Sequence, residues 1–420
     1  MLLCPYKEGY MTLKKSLIGL FALLLVMGLA SCKAEAKPVS GKVLFWHTYS
    51  EGEEALFLAE VVPLFNAKYP DIEIESVRMP YDGLKQQVIT AYTGNVAPDV
   101  MRMDIVWVPE FAKQGILEEV SAFKEFKTLK DNFFAGSLST NFYNGKYYGL
   151  PLNTNTKVAV YSKAVLTELG LTAAPATWDE MIALARQLKE KDARWGLVPQ
   201  GFGPWGFLPY FWTLGGKVTN DTYTTATCYL NSADSVAAVQ QLYDYYKEGL
   251  IGPAMFGEQP DAWGGMAGGN YLWIDDGPWY FSIIGQTAID STIVSTIPAG
   301  KGGSVSVVGG EDLVMFNKSA NKDASWLFMQ FMMTDAVQKI MAKTGMIPVT
   351  ETAANSLTDV PAYVATYIEQ LKTAQPRTPS ANWGSIEQVL SLAIESVFRG
   401  EKTATEALNG AATEIDALLK

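Results

Sequence analysis

A two-lobed α/β fold is the class this sequence predicts, and three observations carry the prediction. Strand-like and helix-like segments alternate from residue 41 onward, the pattern of a sheet with helical crossovers. Residues 32–420 exceed what one hydrophobic core usually serves, since chains beyond about 250–300 residues divide. A Gly-Leu-Pro break at 149–151 then interrupts the alternation and precedes a strand that carries the chain onward.

Before the body lies a leader. Lys14 and Lys15 precede an apolar stretch from Leu17 to Ala30, followed by Ser31, which is the three-part layout of a secretory signal. Those fourteen residues fall short of the ~20 that a membrane-spanning helix needs. Residues 1–31 are therefore expected to be removed, with Met11 a better start than Met1 because "MLLCPYKEGY" has no signal layout. Leu29-Ala30-Ser31-Cys32 resembles the bacterial lipobox, whose cysteine becomes the lipid-bearing N-terminus. Cys32 is thus the expected lipidation site, and residues 32–40 a polar tether. Cys228 is then the only other cysteine; no disulfide framework is open to it, and it is expected to be buried and inert.

In the body, "KVLFWHTY" reads as a buried strand and "SEGEEALFLAEVVPLFNAKYP" as a helix that stops at Pro70. "IEIESVRM" and "PDVMRMDIVWV" are further strands around the helical "YDGLKQQVITAYTGN", so the first lobe is expected to hold a parallel sheet. Ligands gather at the carboxyl ends of such strands, here "WHTYSEGE", "MPYDG" and "RMDIVW". After the crossing at "YGLPLNTNTKVAVYSKAVL", Thr177 and Glu180 stand at capping-box spacing and start a helix. "DSVAAVQQLYDYYKEG" places Val236, Val239, Tyr243 and Tyr246 on one face, expected in a core. Pro278 suits the first position of a helix with Trp279 at its mouth. "PAGKGGSVSVVGGED" reads as a glycine-containing stretch that leads into one long helical segment from Leu313 to Gly345, with Trp326 in its core face, and two amphipathic helices close the chain.

The formal charge is −11, and −13 once residues 1–31 take three lysines and one glutamate with them, which argues against a nucleic-acid partner. A single histidine, His47, leaves a His triad or a multi-His metal site little material, and the glycines hold no P-loop spacing. No catalysis, metal or cofactor is expected. The chain is rich in rings instead, with 11 Trp, 20 Tyr and 19 Phe, many in loop-like settings where they are placed to touch a ligand.

An ordered set of stretches then carries a resemblance: "FNAKYPDIEIE", "APDVMRMD", "YGLPLNTNTKVAVYSK", "PATWDEM", "DDGPWYFS", "NKDASWLFMQFMMT" and "RGEKTATEALNGAATEIDALL". Together they resemble the bacterial extracellular solute-binding proteins of ABC importers, in the sugar-binding group similar to maltose-binding protein. The resemblance implies a type II periplasmic-binding-protein fold, with hinge-connected lobes and a ligand cleft between them. Residues 40–152 with 312–346 would form the N-lobe, and 153–311 with 347–420 the C-lobe. It implies a monomer outside the cytoplasm, lipid-anchored to the cell membrane, with a sugar or oligosaccharide ligand and permease subunits as partners. Where that best-known member carries a charged pair after its first strand, this chain has "TYSEGEE", so maltose itself is not implied.

Sugar recognition needs flat apolar plates for C–H faces and forked polar partners for hydroxyls. Trp279 in "DDGPW" matches the family's stacking tryptophan, and Asp104 the carboxylate the family often places on sugar hydroxyls. Arg377 resembles a position from which family members reach the sugar, and Trp383 follows it. Tyr49 and Glu51 lie where the first strand meets its helix, although Ser50 and Glu53 form a capping box there that needs no ligand. Asn153 and Asn155 alternate at the first crossing, and Gly309, Gly310 and Glu311 lie at the next, where missing side chains would let a ligand approach. Other rings, Trp205 among them, are unranked. Two alternatives remain, a glycoside hydrolase and a glycerol-phosphate-type binding protein; adjacent Asp275 and Asp276 point to opposite strand faces and make no hydrolase pair.

Overall fold

In the computed structural model, which describes residues 38–420, strand β1 (Gly41–His47) alternates exposed and buried positions and buries Val43, Phe45 and His47. It lies between β2 (Ile72–Arg78) and β3 (Val100–Asp104), parallel to both. The strands β4 (Phe142–Tyr143) and β5 (Lys146–Tyr147) form a small hairpin before β6 (Gly149–Thr156). β7 (Val158–Ser162), β8 (Trp273–Asp276) and β9 (Thr292–Ser295) make a second, antiparallel sheet in the order β8-β7-β9. β10 (Val307–Met315) returns to the first sheet, where β11 (Gln375–Pro376) also joins, giving the order β11-β10-β3-β1-β2 with β6 on the other edge of β10. The leader, the tether's first residues and Cys32 lie outside the described residues.

Two differences from the sequence expectation matter for function. The first sheet is mixed, because β10 runs antiparallel to both β3 and β6. β10 itself spans Gly309 to Asp312 and the "LVM" that the apolar pattern assigned to a helix. Glycines depress strand propensity, so this strand exists through pairing on both edges rather than through local preference. The helical segment after it is two helices, Lys322–Met332 and Asp335–Ala342, split at Thr334.

Two sets of buried side chains organise the layers. Phe45, Phe57, Val100, Leu152, Leu313 and Met329 belong to one core. Tyr161, Trp178, Phe211, Trp273, Leu390 and Leu408 belong to another. The chain passes between them from Leu152 to Ala159 and from Val307 to Leu313. Helix Ala233–Glu248 buries Ala238, Val239, Leu242 and Tyr245, so the buried stripe is shifted from the one expected, and Tyr243 and Tyr246 pack on its flank against Phe398. Trp326 is buried as expected and donates its indole N–H to Glu125. Cys228 is exposed rather than buried: it sits at φ +71° in a turn whose N–H is taken by the Asn231 side chain.

Candidate functional site

The site forms where the returning strand meets the end of β3 and the first crossing. Register places Glu311 opposite Asp104 on one side and opposite Asn153 on the other, with Gly309 opposite Asn155. Two carboxylates facing each other across strands repel. Here each has its own guanidinium: Arg102 Nη2 is 2.8 Å from Glu311 Oε2, and Arg377 Nη2 is 3.3 Å from Asp104 Oδ1. Asn153 Nδ2 also donates to Glu311 Oε2 at 2.6 Å. Burial pushes the Glu311 carboxyl up, and the Arg102 charge opposes it.

Rings flank these polar groups. On the side of the first sheet Tyr81 stacks on Trp107, with centroids 5.5 Å apart, and the Tyr81 hydroxyl donates to Asp104 Oδ2 at 2.8 Å. On the other side Trp205 meets Trp279 at 5.9 Å, and the Arg377 guanidinium lies 5.1 Å above the Trp205 ring. The Asp104–Arg377 pair therefore links two aromatic platforms. Helix Trp279–Ile284 starts at Trp279, with Pro278 one residue earlier than expected as its cap, and leaves the Trp279 ring half-buried. Gly309 lets both side chains approach the strand, since a Cβ there would stand 2.2 Å from Asn155 Oδ1 and 2.6 Å from the Trp205 ring.

Five buried polar atoms of this region have no hydrogen-bond partner: Tyr49 Oη, Arg102 Nε, Asn153 Oδ1, Asn155 Oδ1 and Arg377 Nε. Each such orphan costs about 1–3 kcal/mol unless another molecule pairs it. Among the described residues no cluster of three or more His, Cys, Asp and Glu could hold a metal.

Asp104, Asn153, Asn155, Gly310, Glu311 and Arg377 are thus brought together, with Trp279 joined through Trp205. Tyr49 is buried beneath the Arg102 guanidinium at 5.0 Å, as a floor. Glu51 is exposed in the first turn of its helix, and the buried acid is Glu53, which completes the capping box with Ser50. Trp383 begins helix Trp383–Phe398 with its ring in the second core. Arg102, Tyr81 and Trp107 were not picked out by sequence. For Arg102 a signal existed, because it shares a strand face with Asp104 two residues on.

His47 supports this floor. Its Nδ1 accepts the Tyr49 backbone N–H at 3.3 Å and its Nε2 lies 2.7 Å from Ser76 Oγ. Burial, with Arg102 and Arg78 nearby, lowers its pKa to about 3. Below its ordinary pKa of about 6.5 the unfolded chain takes up a proton that the native state refuses, so this contribution is present above pH 6.5 and is lost as pH falls toward 3. The melting temperature of the wild type is expected to drop between pH 6.5 and 4 by several degrees more than that of His47→Asn; equal slopes in differential scanning calorimetry would contradict this.

Comparison with known proteins follows the same line. The family pattern described as bacterial extracellular solute-binding protein matches residues 60–368. The chain belongs to that family. A relative in Brucella abortus is 26% identical over 98% of this chain and 100% of its own. The maltotriose-binding protein of Pyrococcus abyssi is 24% identical, over 92% of this chain and 82% of its own. Among solved structures the GacH receptor of Streptomyces glaucescens, a protein studied unliganded and with acarbose, superposes with a TM-score of 0.80 at 24% identity. It covers 90% of this chain and 98% of that one. The fold is therefore that of the two-lobed periplasmic sugar-binding proteins, with hinge-connected lobes around a cleft. Family membership places the protein outside the cytoplasm.

Proposed function

We propose that the chain is the substrate-binding component of an ABC importer and holds a neutral sugar or oligosaccharide between the Tyr81–Trp107 and Trp205–Trp279 platforms. The observation that carries this is the pair of aromatic platforms joined through Asp104 and Arg377, with unpaired polar atoms on Asn153, Asn155 and Arg377 in the same region. Rings cover the C–H faces of a sugar and the orphans take its hydroxyls, and ~8 kcal/mol in total gives a micromolar complex. Neutrality follows from the charges: both site arginines already face a carboxylate, Arg102 with Glu311 and Arg377 with Asp104, which leaves a phosphate no free cation among them. The same pairing disfavours a hydrolase, because neither carboxylate stands free as an acid.

The lobes of residues 40–152 with 312–346 and 153–311 with 347–420 close over the ligand by hinge bending, and the closed monomer docks on permease subunits. Cys32 carries the lipid that keeps it at the membrane. Among the described residues no helix is long and apolar enough to cross a membrane.

Titration calorimetry against neutral oligosaccharides and sn-glycerol 3-phosphate tests the assignment. A saturable neutral sugar is expected, adding about 2.7 kcal/mol of stability at 100 times its dissociation constant. Binding of the phosphate alone, or sugar cleavage on prolonged incubation, would overturn it.

A further inference from the structure

Lys157 is the single residue between β6 and β7, at the point where the chain leaves the first sheet for the second. It is fully buried. Around it the two crossing strands are stitched together: Thr156 Oγ1 donates to the Val307 carbonyl at 2.8 Å and Ser306 Oγ to the Lys157 carbonyl at 2.7 Å. The ammonium turns away from these backbones. It stands 2.6 Å from Asp275 Oδ2, donates to the Trp205 carbonyl at 3.4 Å and lies 5.8 Å from the Trp205 ring centre.

Trp205 needs that donor because of Pro209. Both lie in helix Pro204–Thr213, where the residue four positions on would supply the N–H for the Trp205 carbonyl, and proline has none. Asp275 fixes the ammonium from the opposite side and is itself held by the Tyr210 hydroxyl at 2.9 Å, on the same helix. The strand carrying Asp275 runs through Gly277 and Pro278 into Trp279. One buried cation thus ties the hinge point to the backbones behind both rings of the second platform.

We propose that Lys157 is a positioning residue: it sets the Trp205–Trp279 platform relative to the hinge and so tunes affinity for the ligand without touching it. The affinity part presupposes the carbohydrate site proposed above. Lys157→Met alone would strand a buried carboxylate and destabilise the fold. The test is therefore Lys157→Met/Asp275→Asn, which removes both charges, with Lys157→Met/Asp275→Leu as an apolar counterpart. Near-UV circular dichroism is measured for each background minus the same background carrying Trp279→Phe, which isolates the coupled ring pair without any ligand. Maltotriose binding is measured alongside.

Both double variants are expected to melt within a few degrees of the wild type, to lose most of the difference signal, and to bind maltotriose at least tenfold more weakly. A double variant that keeps the wild-type difference signal would overturn the positioning role, whatever its affinity. A wild type that binds no neutral sugar would sink the carbohydrate assignment, while the ligand-free spectrum still decides the role of Lys157.

Discussion

Replacing Trp279 by alanine is expected to weaken ligand binding by about thirtyfold while leaving the fold intact. A sugar face laid on an indole buries ~80 Å² of apolar surface, worth ~2 kcal/mol at ~25 cal/mol/Å², and each ~1.4 kcal/mol is tenfold in dissociation constant. The ring packs over Gly277, where a Cβ would stand 2.1 Å from it. It is half-buried and meets Trp205 at 5.9 Å, an aromatic contact worth ~0.5–1.5 kcal/mol. Calorimetric titration alongside a melting curve separates the two quantities. Unchanged affinity would place the ligand elsewhere, and a collapsed melting transition would make Trp279 a core residue.

The neighbouring glycines of β10 should respond in opposite ways. Gly310 stands at φ +137°, and a Cβ there would lie 2.4 Å from the Asn153 carbonyl oxygen and 3.0 Å from Thr154 Cα, both backbone atoms of the paired strand. Neither can move without opening the sheet, so Gly310→Ala should cost about 3 kcal/mol or more in urea unfolding, from backbone strain and overpacking together. At Gly309 the obstructing atoms belong to the side chains of Asn155 and Trp205. Gly309→Ala should therefore displace the Trp205 platform and weaken binding, with a smaller loss of stability. A Gly310 variant as stable as the wild type would refute the tight strand pairing on which the site depends.

What the sequence could tell follows from the range of the forces involved. The strand at β1, the capping box at Ser50 and Glu53 and the one at Thr177 and Glu180 are local patterns, and each appears in the structure where the residues put it, although β1 is buried only at alternate positions. The strand holding Gly309 to Asp312 was not legible, because its stability comes from β3, β6 and β11 rather than from its own residues. The same reason hid Arg102. Its role depends on lying diagonal to Glu311, more than two hundred residues away, and only the register supplies that neighbour. Trp205 was visible as a ring but could not be ranked, since its place over Gly309 and beneath Arg377 is set by three separate segments. Cys228 misled for a simpler reason: apolar character says nothing of a left-handed turn that holds the residue at the surface.

The mixed sheet also explains why opposed acids survive side by side. Asp104 and Glu311 face each other across a strand pair, and the two arginines that neutralise them arrive from β3 itself and from the end of β11. Pairing of this kind orients hydrogen-bonding groups without leaving net charge, which suits a ligand made of hydroxyls.

Crystals grown from protein purified without stripping, and then saturated with the tightest sugar from the calorimetric panel, decide where the ligand sits. Density is expected for a sugar ring lying on Trp279, with hydroxyls within hydrogen-bond distance of Asp104, Glu311 and the orphaned atoms of Asn153, Asn155 and Arg377. Sugar density elsewhere on the protein, or an anion paired with Arg102 or Arg377 after displacing its carboxylate, would contradict it.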